Sequence, residues 1–170
     1  MPTFQEIYHE HQKMVYNLAL NYLQNTQDAE EVTQDVFVKI HAKLPSFEEK
    51  SSLKTWIYRI AINHCLDFLK AQKRQKRFAI FKNIFNTENQ IHYDPPDFNH
   101  PGVQLEDREA LENLYKKINA LPENQKTAVI LKYLDDLPQR EIAAIMDISE
   151  KAVESLLQRA KQQLKKNNPD

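Results

Sequence analysis

Five cations, Lys70, Lys73, Arg74, Lys76 and Arg77, crowd the end of one otherwise apolar stretch. A basic run of this kind either stays solvated or meets a polyanion, most simply the phosphates of a nucleic acid. Upstream on the same stretch, Thr55, Arg59, Asn63 and Asp67 lie away from the apolar face and form a polar one beside it. Other chemistry finds little to work with. His9, His11, His41, His64, His92 and His100 are scattered without metal-ligand spacing, and Gly102, the single glycine, leaves no phosphate-cradling loop. Cys65 is the single cysteine, so no intrachain disulfide can form, and its place in an apolar stripe reads as a small buried hydrophobe. The expectation is therefore no metal, no cofactor and no enzyme, and His64 reads as a satisfied core histidine.

The net charge of −1 hides a strong asymmetry. Residues 1–50 carry four lysines against eight carboxylates, a net −4, whereas residues 51–82 carry eight cations against Asp67 alone, a net +7. Such a split implies two partners, an anion for the basic segment and something cationic for the acidic one. No signal-type N-terminus and no apolar run of about 18 residues is present, which points to a cytoplasmic protein without membrane insertion.

These residues must be positioned by helices. One glycine among 170 residues argues against a β-sandwich or barrel, and apolar residues recur at helical period throughout. The fold class expected is all-α: two small helical domains joined by a flexible linker, with a helix-turn-helix in the C-terminal one. Thr3 to Leu23 forms a first helix with Phe4, Ile7, Tyr8, His11, Met14, Val15, Leu18, Ala19, Tyr22 and Leu23 as its apolar stripe. Asn25 or Thr26 caps a second, which runs to about Lys43 with Ala29, Val32, Val36, Phe37 and Ile40 inward. Ser51 or Ser52 caps a third, whose inward face is Leu53, Trp56, Ile57, Ile60, Ala61, His64, Cys65 and Phe68. These three pack as the N-terminal domain, 1–77. Residues 78–104, with the DPPD centre from Asp94 to Asp97, read as a linker, helical at most at its start. The C-terminal domain, 105–170, opens with a helix marked by Leu111, Leu114, Tyr115, Ile118 and Leu121, and Pro122 suits the start of the next.

Gln139 to Gln158 carries the most specific pattern. Ile142, Met146, Ile148, Val153 and Leu156 occupy the inward positions of a helix-turn-helix, and Ala143 is small where the two helices cross. Asp147 stands where the turn needs a left-handed backbone, which Asp tolerates better than most residues. Ser149 caps the second helix. Lys151, Ser155, Gln158 and Arg159 are then candidates for base edges or phosphates in a major groove, with Arg140 on the backbone and Lys161, Lys165 and Lys166 as a basic tail. Glu150 and Glu154 make local charge thin. An ordinary helical hairpin is the competing reading.

Taken together, DAEEVTQDVFVKI (Asp28 to Ile40), FEEKSSLKTWIYRIAINHCLDFLK (Phe47 to Lys70) and LPQREIAAIMDISEKAVESLLQRAKQQLKK (Leu137 to Lys166) resemble, in this order, three segments of bacterial RNA polymerase sigma factors of the extracytoplasmic-function (ECF) group, within the sigma-70 family. The resemblance covers nearly the whole chain. It implies a protein that binds core RNA polymerase, through the β′ coiled coil and the β subunit, directs it to promoters and assists melting of the −10 element. By resemblance Glu31, Gln34, Asp35 and Val38 meet core polymerase. Phe47, Ser51, Ser52, Lys54, Arg59, Asn63, Lys70, Lys73 and Arg74 meet −10 DNA, with the loop from Phe47 to Ser52 capturing a base extruded at a cost of a few kcal/mol. Arg140, Ser149, Lys151, Ser155, Gln158 and Arg159 meet the −35 element. An anti-sigma partner is a further expectation. The family often has Arg-Gly after the loop phenylalanine, where this chain has Glu48-Glu49. The alternative function is a helix-turn-helix repressor or activator that binds duplex DNA without polymerase.

Overall fold

A computed structural model of the chain describes residues 1–85 and 105–166, and these are helical, with no strand among them. Helix α1 spans Phe4–Leu23, and its start is fixed by a reciprocal capping box. The Glu6 N–H donates to Thr3 Oγ1, while the Thr3 N–H donates back to the Glu6 carboxylate at 2.7 Å. That backbone donor holds the Glu6 carboxyl below its usual range. Gln24 closes α1 in the left-handed region at φ 52°, its N–H bonded to the Leu20 carbonyl. Asn25 caps α2 (Thr26–Lys43) by accepting from the Asp28 N–H at 2.9 Å. Ala29, Val32, Val36, Phe37 and Ile40 are all buried, as their spacing predicts. Pro45 sits in a 3-10 turn, Leu44–Ser46, that ends α2.

Helix α3 (Leu53–Phe85) is capped by Ser52, whose Oγ accepts from the Thr55 N–H at 3.1 Å. Ile57, Ala61 and Cys65 are buried against α1 and α2. Burial pushes the Cys65 thiol up to about 12, so it is inert packing. Two expectations need correction. Trp56 is half-buried and lies against Phe47, with ring centroids 4.9 Å apart, while Thr55, Tyr58 and Ile62 take the deeper positions. The reason is that α3 is covered on two sides, so its buried surface is wider than one stripe. Residues 78–85 continue α3, whereas the sequence suggests that the linker starts there. The remainder of that linker, with DPPD, lies outside the described residues.

Helix α4 (Leu105–Asn119) leads to α5 (Glu123–Val129), with Pro122 immediately before it. One π-type turn, Ile130–Leu134, follows, closed by Asp135 N–H to the Ile130 carbonyl at 3.0 Å. Helices α6 (Gln139–Met146) and α7 (Glu150–Lys166) form the helix-turn-helix. Asp147 has φ 56° and ψ 45°, the left-handed turn residue the sequence pattern requires, and Ser149 Oγ accepts from the Ala152 N–H at 3.1 Å.

The two helical units are docked on each other. Ile7, Val15 and Leu18 of α1, Ile57 of α3, Ile130 and Leu131 of the π-type turn and Ile142 of α6 belong to one contiguous apolar core. Polar contacts frame it. Tyr22 Oη and Thr127 Oγ1 are 2.6 Å apart, and Asn119 donates to Gln24 at 2.8 Å.

Candidate nucleic-acid interface

Three surfaces carry the residues singled out by the sequence. The first lies on α2. Glu31, Gln34, Asp35 and Val38 fall on one helical stripe because they stand three and four residues apart. All four are exposed, and Val38 is 68% exposed, a large apolar side chain among acids. Asp35 is oriented from behind. His64 Nε2 lies 3.3 Å from its carboxylate, and the Lys39 ammonium lies 2.6 Å from His64 Nδ1. Since Lys39 can only donate, Nδ1 accepts and Nε2 carries the proton toward Asp35. His64 thus ties α3 to α2 as a satisfied histidine.

The second surface is the loop before α3 and the polar side of α3. Phe47 and Trp56 form its aromatic pair. Glu49 has φ 54°. The residue that stands where the family often has glycine is therefore itself left-handed, and it carries a negative charge. Ser52 is engaged as the helix cap, while Ser51 Oγ makes only a long contact of 3.4 Å to the Ser52 carbonyl. Three further residues of this set face the second unit. Arg59 donates to the Ala144 and Ile145 carbonyls at 2.6 and 3.1 Å, a guanidinium placed on the carbonyl end of α6, where the helix dipole favours a cation. Lys54 pairs with Glu141 at 3.0 Å, and Lys70 with Glu123 at 3.5 Å. Asn63, Lys73 and Arg74 are exposed.

The third surface is the outer side of the helix-turn-helix. Arg140, Ser149, Lys151, Gln158 and Arg159 are exposed and Ser155 is half-exposed, while Ile142 and Val153 are wholly buried beneath them. Gln139 Nε2 donates to the Glu150 carbonyl at 2.7 Å and locks α6 to α7. Glu150 and Glu154 share the exposed side. Ser149 is committed to capping α7.

Sequence reasoning missed the residues that join the second surface to the other unit. Asp135 accepts from Tyr58 Oη at 3.0 Å and from Asn21 Nδ2 at 3.1 Å. Burial raises the Asp135 carboxyl above its ordinary range, and the two donors only partly offset this. No local pattern marks this cluster, because its members lie 77 and 114 residues apart.

Comparison with known proteins completes the assignment. The family model of sigma-70 region 2 matches residues 7–75, and that of sigma-70 region 4 matches residues 111–164. The chain is 28% identical to the ECF RNA polymerase sigma factor SigW of Bacillus subtilis, over 99% of this chain and 90% of that one. It is 31% identical to the ECF RNA polymerase sigma-E factor of Escherichia coli, over 89% of this chain and 79% of that one. Two solved structures share the fold. CnrH, in complex with the cytosolic domain of CnrY, aligns at TM-score 0.64 and 20% identity over 95% of this chain and 84% of its own. The sigma factor RpoE of Bartonella quintana, in complex with the anti-sigma factor NepR, aligns at TM-score 0.61 and 23% identity over 96% and 94%. With two sigma-70 regions in order and relatives matched over 79% to 90% of their own length, the chain belongs to the ECF group of RNA polymerase sigma factors.

Proposed function

We propose a division of labour among the three surfaces within the established family role of binding core RNA polymerase, directing it to promoters and assisting −10 melting. The α2 stripe of Glu31, Gln34, Asp35 and Val38 docks on core polymerase, acids meeting a basic surface around an exposed valine. The loop from Phe47 to Ser52, with Lys54, Arg59, Asn63, Lys70, Lys73 and Arg74 on α3, takes the melted −10 strand. The aromatic pair and loop offer an extruded base a stacking surface, and the cations follow its phosphates. Arg140, Ser149, Lys151, Ser155, Gln158 and Arg159 meet the −35 duplex. The protein acts in the cytoplasm with polymerase and is no enzyme itself. None of the described helices is long and apolar enough to cross a membrane. An anti-sigma protein is the regulatory partner, as NepR is the partner of the Bartonella relative.

The observation that carries the polymerase assignment is the stripe on α2, where the exposed Val38 is ringed by acceptors that the fold leaves facing outward. Because Arg59 and Lys54 are bonded to α6, this arrangement is a resting state, and the second unit must lift off α3 before the −10 strand can bind. The test is run-off transcription with purified core polymerase on the promoter region of the protein's own gene. A transcript requiring both components is expected, and Glu31→Lys with Asp35→Lys should abolish it together with co-elution with core, at unchanged melting temperature. A chain that shifts duplex DNA alone and never co-elutes with core would establish the repressor reading instead.

A further inference from the structure

Between the two units lies a cleft of about 580 Å³, walled by α1, α3, α4 and α5. That volume lies in the range of sites for small molecules, about 300–1,000 Å³. Its lining includes Lys73, Lys76, Lys116 and Lys126, the rings of Tyr22 and Tyr115, and one carboxylate, Glu112. Glu112 is already paired with Arg108 at 3.3 Å. The floor is unusual. Lys126 is only 6% exposed, its ammonium lies 5.1 Å from the centroid of the Tyr22 ring, and no carboxylate forms an ion pair with it among the described residues. Lysines are almost never buried unless paired, because desolvating a lone ammonium costs several kcal/mol. Around it stand Tyr22 from α1, Cys65 and Lys73 from α3, Glu112 and Lys116 from α4, and Glu123 from α5. Glu123 is held by Lys70 at 3.5 Å. Burial and the neighbouring Lys73 bring Lys126 down to about 8.

We propose that this cleft binds a small phosphate-bearing anion, with Lys126 as the buried anchor and Lys73 and Lys116 closing around it. A single compact polyanion would meet several cations at once and bring negative charge closer to Lys126 than the carboxylate of Glu123, which is held by Lys70. Phosphate suits the site because it offers several acceptor oxygens to ammonium donors that have no fixed fork geometry. Duplex DNA is too wide to reach a floor residue this deeply buried. Both units build the walls, so an occupant binds the docked arrangement and none other, and stabilises it by mass action. The site stands independently of the roles assigned to the DNA surfaces, apart from Lys73, which the two share.

The experiment is titration calorimetry of the full chain with inorganic triphosphate at pH 8, in two buffers of different ionisation enthalpy. One saturable site is expected, with net proton uptake, since a lysine partly deprotonated at this pH becomes fully charged on binding. Lys126→Met should abolish the proton uptake and weaken binding about tenfold or more. Lys73→Ala, at an exposed position that does not threaten folding, should weaken binding several-fold, and Lys13→Ala on α1 should leave it unchanged. Multiple weak sites, binding without proton uptake, or equal effects of Lys13→Ala and Lys73→Ala would reduce the cleft to general adsorption on surface lysines and overturn the proposal. Stoichiometric displacement of the anion by a short DNA duplex would do the same by making the cleft part of the DNA surface.

Discussion

The polar side of α3 and the outer side of α7 were both singled out as DNA surfaces, and they stand in opposite conditions. On α7, Lys151, Gln158 and Arg159 face solvent, with nothing to release before a groove is met. On α3, Arg59, Lys54 and Lys70 are already bonded to carbonyls and carboxylates of the other unit. A cation that reads nucleic acid is also a good ligand for a helix C-terminus, since both present oxygen acceptors carrying negative charge. The same chemistry that qualifies a side chain for DNA qualifies it for an internal contact that hides it. On the proposed roles, the α7 surface meets duplex as it stands, and the α3 surface needs its contacts to α6 released first.

If the units truly share a core, damage in one must be felt in the other. Ile130→Ala, at a wholly buried position, should cost about 2–5 kcal/mol. In urea, Trp56 fluorescence, which reports on the other unit, should show the shifted midpoint in a single transition. Two separate transitions, with the Trp56 signal unmoved, would mean the units fold apart. Next in size is the buried cation. With its pKa lowered to about 8 in the fold against 10.5 in a free side chain, Lys126 holds fewer protons folded than unfolded, so its penalty is largest below pH 8 and fades as pH rises toward 10.5. Lys126→Met should therefore raise stability by about 1–3 kcal/mol at pH 7, with the gain shrinking by pH 10 in parallel melts.

Asp135 sharpens the comparison on the covered side. Asp135→Ala leaves Tyr58 and Asn21 without their acceptor and should cost about 1–3 kcal/mol. Its raised carboxyl binds the proton more tightly folded than unfolded, so it contributes a loss of stability as pH climbs above the ordinary carboxylate value of 3.8. Asp135→Asn should flatten that decline in melts between pH 4 and 7. The smallest effect is expected from Asp147→Gly. Relieving a left-handed non-glycine residue in the helix-turn-helix should stabilise by about 1 kcal/mol in urea titration, because Arg59 lies 4.0 Å from that carboxylate and loses little.

Much of the fold was legible because its signals are local. Thr3, Asn25, Ser52 and Ser149 cap within three residues, the α2 core has its period written in five positions, and Asp147 stands at a turn whose geometry needs it. The same period leaves Glu31, Gln34, Asp35 and Val38 on the exposed side of α2, while their part in a partner contact came only from the family resemblance. Trp56 was misjudged because helical period gives a face, not how far a neighbour covers it. The docking of the two units was not readable at all. Tyr58, Asp135, Asn21, Tyr22 and Thr127 are ordinary residues in sequence and become a cluster only when distant helices meet. The same holds for Lys126, whose burial depends on walls from four helices.

The shared core also has a consequence during synthesis. Tyr22 is wholly covered only once Thr127 and its helix exist, and Ile57 shares its core with Ile142. Translation at roughly 5–20 residues per second therefore leaves the first three helices waiting several seconds with unfinished apolar surface. The last helices to be made thus complete the first ones, and the nascent chain carries that apolar surface until they emerge.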